Sequence, residues 1–351
     1  MPDQKVITID IGSAWTKVFL VSLDSENTVK IEKSARLPTS WGDFSLATNL
    51  LLSKISENGV PKIFVSHFLE IEKLASKLGG DFVNEQAAAV ALVKYFKNPG
   101  ENFFILDAGA SNLREAFQAE NIGKYLTFAA DPLFLENFIG KKRFKPRLLP
   151  LDTKELEIEE AFLRTNFQEK LSARNEKNVS LIALTGGMIS GTPRLSRVAL
   201  ILLDVLGKEE ITQVVFDREF FLPSFGALLT TYKRLQTAQC GAWLERLGTF
   251  VSLGESIAIE LDWGYSQLQK VELAAGEISL IPAPSEQKIK LTLALGNKEK
   301  KRFDIVGGSL GILLDARTKP LPLVFGQNAS RNLVAGWLKQ IEEAEITKEA
   351  F

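Results

Sequence analysis

Residues 5–17 read KVITIDIGSAWTK, and this stretch decides the fold. The run 6–12, VITIDIG, is a buried strand that delivers an aspartate, Asp10, to a glycine turn at Gly12. The run 15–22, WTKVFLVS, is β-branched and aromatic, so it reads as the return strand of a hairpin. A hairpin folds Lys17 back towards the turn. Two further stretches repeat the design. Residues 105–111, ILDAGAS, end a strand at Asp107 and Gly109; residues 182–188, IALTGGM, end one at Gly186 and Gly187. Glycine permits close backbone approach, and free amides in such turns cradle phosphate oxygens.

Around these motifs the pattern is α/β. Residue 29–37 alternation extends the first sheet, and helical spacing occupies 46–59, 69–79, 84–100, 154–175, 194–207 and 223–236. Short strands fall at 62–66 and 211–217, and residues 113–128 suggest a second hairpin. Beyond residue 245 short alternating runs broken by Gly, Asn and Pro predict a small barrel or sandwich, before a terminal helix at 329–345. The expected division is 1–100 and 101–245 as two similar α/β subdomains, 246–328 as a β-rich domain, and 329–351 as a helix and tail.

Composition narrows the function. The chain has 351 residues, of which 45% are apolar and 24% charged, as in ordinary globular proteins. Forty-two basic against 43 acidic residues give a net charge of −1, without the basic excess of a phosphate-neutralising nucleic-acid binder. One cysteine, Cys240, excludes an internal disulfide and a cysteine-cluster zinc site; one histidine, His67, excludes a His-rich metal centre. No stretch has the roughly 20 apolar residues of a spanning helix, and no secretion signal is visible, so a cytoplasmic protein is expected.

The three motifs together suit a metal-chelated nucleoside triphosphate. Asp10 and Asp107 are the expected carboxylates for a mostly water-coordinated Mg²⁺. Lys17 and the turns at Gly12, Ser13, Gly109 and Ala110 suit phosphates, and Gly186 and Gly187 clear space for an adenosine. Asp10, Gly12, Ser13, Thr16, Lys17, Asp107, Gly109, Gly186, Gly187 and Met188 lie on these motifs. Their order resembles that of the actin/DnaK-chaperone/sugar-kinase ATPase superfamily. The resemblance implies two ribonuclease-H-like actin-type subdomains holding ATP and Mg²⁺. It also implies a role for Glu85, in 84–92 NEQAAAVAL, in orienting the attacking water, against the alternative of a helix-capping glutamate.

A narrower resemblance covers most of the chain. DIGSAWTKV is similar to the start of the glutamate-mutase-associated MutL-like proteins (unrelated to the mismatch-repair protein), with Trp15 and Thr16 as the distinguishing letters. Residues 149–164 and 306–323 resemble further family segments. The departures are Ala110, where the second loop usually carries Thr or Ser, and Thr318-Lys319, where Gly-Arg is usual. This resemblance implies an ATP-binding, slowly hydrolysing chaperone or reactivating factor for a protein partner, a cobalamin-dependent mutase. The alternative is a nucleotide-gated scaffold of the cell-division or pilus-assembly type; a small-molecule kinase is a third, weaker reading. His67 reads as a structural or surface residue and Cys240 as a buried small group. Trp263 and Trp337 read as packing anchors. Asp315 and Arg317 read as a local ion pair or a partner contact.

Overall fold

A computed structural model describes residues 4–24, 28–55, 57–96, 102–109, 119–144, 148–173, 179–190, 192, 194–237, 239–255, 257–264, 266–285, 287–294 and 300–349. The chain forms two compact units: residues 1–100 with 217–244, and residues 101–216 with 245–351.

The first unit opens with β1 (Gln4–Ile11), β2 (Trp15–Leu23) and β3 (Thr28–Pro38), followed by α1 (Phe44–Ile55), β4 (Lys62–Ser66), α2 (Ile71–Lys77), β5 (Asp81–Asn84) and α3 (Glu85–Phe96). Its sheet order is β5-β4-β1-β2-β3, antiparallel across β1-β2-β3 and parallel across β1-β4-β5. That order and orientation is the ribonuclease-H type. Period-two alternation sets its two faces. Ile7, Ile9 and Ile11 pack with Leu51, Ile55 and Ile71 of the α1 and α2 layer, which leaves Thr8 and Asp10 on the opposite face.

The second unit runs β6 (Phe103–Asp107), α4 (Ala119–Gly123), α5 (Pro132–Phe144), α6 (Thr153–Ser172), β7 (Leu181–Thr185), α7 (Gly187–Ser190), α8 (Leu195–Val205) and β8 (Glu210–Asp217). The chain then gives α9 (Leu222–Thr231) and β9 (Gln239–Cys240) to the first unit. It returns as β10 (Leu244–Ser252), β11 (Ile257–Asp262), β12 (Leu268–Leu273), β13 (Ile278–Ile281), β14 (Lys288–Ala294), β15 (Lys300–Val306), β16 (Gly311–Asp315) and α10 (Asn328–Glu349). β6, β7 and β8 are parallel neighbours at one side of a six-stranded sheet.

Three differences from the sequence reading have physical causes. First, 217–244 packs with the first unit rather than within 101–245. Glycine at 226 brings α9 onto α3, because a Cβ there would lie 2.5 Å from the Ala88 carbonyl oxygen. Trp243 packs edge-on to Phe221 at 4.8 Å and donates to the Val29 carbonyl at 3.1 Å, while β9 pairs with β3.

Second, the strands after 245 are not separate from the α/β part. β10, β16 and β13 continue the β8-β7-β6 sheet, and only β12-β11-β14-β15 forms a sheet of its own. Alternation explains the layering: Phe250 and Leu313 face the helices, whereas Val251, Ile312 and Leu314 pack against Ile259, Leu261, Ile289 and Leu291 of the four-stranded sheet.

Third, the hairpin expected at 113–128 is a short helix at Ala119–Gly123 followed by a turn; its first part lies outside the described residues. Buried Ala119, Ile122 and Leu126 follow helical spacing. Helix α5 went unpredicted, although Asp131 accepts from the Leu133 amide at 2.7 Å and Leu135, Phe138, Ile139 and Lys142 are spaced as one buried face.

The second unit is tied by a buried ionic network. Fully buried Arg317 grips Asp315 with two nitrogens, at 2.8 and 3.0 Å, and reaches Asp204 at 2.6 Å. Arg164 takes the other Asp204 oxygen at 2.6 Å, and Lys319 lies 2.9 Å from Asp315. The Trp337 ring lies 4.6 Å from the guanidinium carbon, and its indole N–H donates to the Gly276 carbonyl. The local Asp315–Arg317 pair expected from sequence is therefore present, and it anchors α8 and α10 as well. Burial pushes the Asp315 carboxyl up, but Arg317 and Lys319 outweigh it and hold it below the usual carboxylate range. Removing one partner of a buried pair strands the others, so Arg317→Met should lower the unfolding free energy by ~3–5 kcal/mol in urea denaturation. A loss below ~1 kcal/mol, as for an exposed pair, would contradict this reading.

Candidate functional site

In the first unit the motif residues gather at the carboxyl end of β1. Register pairs Asp10 with Lys17 and Ile11 with Thr16. The connecting turn is closed by the Gly12 amide donating to the Trp15 carbonyl at 3.0 Å. Two hydroxyls hold it from behind: Ser66 donates to the Ile11 carbonyl and Thr39 to the Gly12 carbonyl, both at 2.7 Å. Thr16 is fully buried with its hydroxyl 3.2 Å from that of Thr39, so its side chain supports the turn.

Asp10 is nearly buried and its carboxylate lies 2.5 Å from the Lys17 ammonium. Lys17 also sits 5.6 Å from the Phe220 ring centre. Burial pushes the Asp10 carboxyl up; Lys17 opposes this and Glu85 adds to it, and the net shift is upward. A raised carboxyl stabilises the fold in its protonated form. That contribution is complete below the usual 3.8 and is lost as pH climbs through the raised value.

The backbone amides of Ser13 and Ala14 have no acceptor among the described residues. The Ser13 hydroxyl lies 3.3 Å from His67 Nε2, and His67 Nδ1 lies 3.1 Å from the Glu85 carboxylate at the start of α3. His67, read from sequence as a bland residue, thus joins two of the expected site residues. An ionised Glu85 only accepts, so Nδ1 carries a proton. With neutral imidazole, Nε2 accepts the Ser13 proton; with imidazolium, Nε2 donates and the Ser13 hydroxyl is released to donate elsewhere. The Phe68 ring lies against the imidazole, with centroids 3.8 Å apart and planes tilted by 42°.

In the second unit the other two motifs are adjacent strand ends. Asp107 registers with Thr185, the Ala108 amide donates to the Thr185 carbonyl at 2.8 Å, and the Met188 amide to the Ala108 carbonyl at 3.3 Å. Gly186 has φ +105°, and a Cβ there would lie 2.4 Å from the Ala108 carbonyl carbon and 2.6 Å from the Asp107 carboxylate. Only glycine fits. Gly109 lies close to the same carboxylate, and Lys170 donates to the Asp107 carbonyl at 3.0 Å. Gly187 is exposed and begins α7, Met188 is buried, and Ala110 lies outside the described residues.

A phosphate group fits the first-unit turn: two amides without acceptors, a hydroxyl and a nearby ammonium. Among the described residues no three His, Cys, Asp or Glu form a metal cage. Mg²⁺ needs none, since it keeps waters and takes one or two carboxylates together with phosphates. Cys240 lies 3.6 Å from the Tyr95 hydroxyl, with burial pushing its thiol up to about 11, which marks it as unreactive.

Because Lys17 is the group opposing the burial of Asp10, Lys17→Met should move the Asp10 titration to higher pH, followed by NMR of its carboxyl carbon. An unchanged midpoint would mean that the ion pair does not form in solution.

The sequence matches no protein-family model and no curated protein. Among solved structures, component A of the (R)-2-hydroxyglutaryl-CoA dehydratase of Acidaminococcus fermentans is similar at 12% identity, over 66% of this chain and 99% of that chain, with a TM-score of 0.39. An inorganic polyphosphate/ATP-glucomannokinase from Arthrobacter sp. strain KM is similar at 15% identity over 64% and 97%, TM-score 0.38. A ROK family protein from Streptococcus pneumoniae TIGR4 is similar at 17% identity over 66% and 99%, TM-score 0.35. At these values the likenesses assign no activity, and the fold class rests on the strand order itself. No helix among the described residues is long and apolar enough to cross a membrane.

Proposed function

We propose that the chain binds ATP with Mg²⁺, hydrolyses it slowly, and uses the cycle to work on a protein partner. The observation that carries this reading is the turn after β1. It offers the Ser13 and Ala14 amides, the Ser13 hydroxyl and Lys17 to an anion, beside a buried carboxylate, at the end of a ribonuclease-H-type sheet. In this reading the Ser13 turn holds phosphate, Asp10 holds Mg²⁺ through water, and Glu85 with His67 sets the polarity of the Ser13 hydroxyl. Within the second unit, the strand ends at Asp107, Gly109 and Gly186 form a further glycine-lined turn that this reading assigns to nucleotide binding. The Mg²⁺ would supply charge neutralisation on the phosphates.

The W-T-K letters at 15–17 support the narrower reading, a MutL-like factor whose partner is a cobalamin-dependent mutase. The whole proposal has a direct test. Asp10→Asn should retain the fold by circular dichroism and lose Mg-ATP turnover; unchanged turnover would remove Asp10 from the site.

A further inference from the structure

The second unit contains a cavity of about 330 Å³ that shares no residue with the Asp107 or Gly186 turns. It lies where the carboxyl ends of α6 and α8 meet the segment after β16. Lys124, Lys208 and Lys319 line it, with Gln168 as a further polar wall and Leu206 and Leu321 as apolar ones. Pockets of roughly 300–1,000 Å³ hold small molecules.

The lining carries more positive than negative charge. Its one carboxylate, Asp204, is spent on Arg164 and Arg317, at 2.6 Å each. Lys319 is spent on Asp315. Lys208 has Glu255 at 3.6 Å, in a pair exposed on both sides. Lys124 is half-buried, has the Tyr125 ring 5.0 Å from its ammonium, and meets no carboxylate among the described residues. Burial alone accounts for its ammonium being held below the usual lysine value. A desolvated cation without a counter-charge is costly, and an anion entering the cavity relieves that cost. Gln168 accepts from the Tyr125 hydroxyl through its carbonyl, so its amide nitrogen remains available as a donor.

We propose that this cavity binds a small organic oxyanion, a phosphate monoester or carboxylate carried on an apolar body. The oxyanion pairs with Lys124 and Lys208, and the body lies against Leu206 and Leu321. The site is independent of the ATP reading, because the residues that bind differ throughout.

Calorimetric titration of the full chain with phenyl phosphate and with benzoate tests it, with benzyl alcohol as the neutral control. Saturable binding of at least one anion is expected, and none of the alcohol. Lys124→Gln should weaken binding by about tenfold or more, roughly 1.4 kcal/mol. Lys208→Gln, at an exposed position that leaves folding intact, should weaken it several-fold, and Asp10→Asn should leave it unchanged. Absence of saturable binding in the wild type overturns the proposal, as does retention of wild-type affinity in both lysine variants. Loss of phenyl phosphate binding in Asp10→Asn alone would transfer the signal to the first-unit turn and also overturn it.

Discussion

Burying a carboxylate at the end of the central strand is the constraint that the first unit is built around. β1 is hydrogen-bonded on both sides, to β2 and to β4, so its last residues have no lateral freedom. Asp10 sits there almost out of water, where an ionised group is costly unless compensated. The hairpin supplies the compensation by register: the residue opposite Asp10 is Lys17. The same hairpin forces a tight turn whose carbonyls are taken by Ser66 and Thr39 while two of its amides meet no acceptor among the described residues. Under the proposed function, a strand end with a buried carboxyl and a neighbouring turn of donors is where a metal-chelated anion would bind.

The second unit solves an analogous problem with a larger assembly. Asp204 and Asp315 are deeply buried on different elements, and Arg317 with Arg164 and Lys319 neutralises them jointly. The gain there is positional. α8 and the end of β16 are bound to one guanidinium, which itself rests on Trp337 of α10, and α6 joins them through Arg164 on Asp204. The sheet that β10 and β16 extend is thereby fixed from the helical side, while its other face is closed by a four-stranded antiparallel sheet.

Much of this was legible in the residues because it is local. Strand ends at Asp10, Asp107 and Thr185 follow from apolar runs stopped by glycine, and the helices α1, α6, α8 and α10 from their spacing. What was not legible depends on partners distant in sequence. His67 meets Ser13 across 54 positions, so nothing beside it in the chain announces its role. Thr16 lies within a motif, yet its fate is set by Thr39. The hairpin expected from 113 was a reading of alternation where Ala119, Ile122 and Leu126 already carried helical period. Helix α5 was missed although its Asp-Pro start and its 135, 138, 139 and 142 stripe were available.

The packing of residues 217–244 makes the first unit discontinuous in sequence. α9 covers a face of α3 that 1–100 leaves bare, Trp243 packs on Phe225 of α9 and bonds Val29, and β9 completes the sheet edge beyond β3. During synthesis the amino-terminal third therefore emerges without the segment that seals it. It waits, partly uncovered, while more than a hundred residues of the neighbouring unit are added. Completion of its apolar interior is a late event on the ribosome, set by the arrival of residue 243 rather than of residue 100.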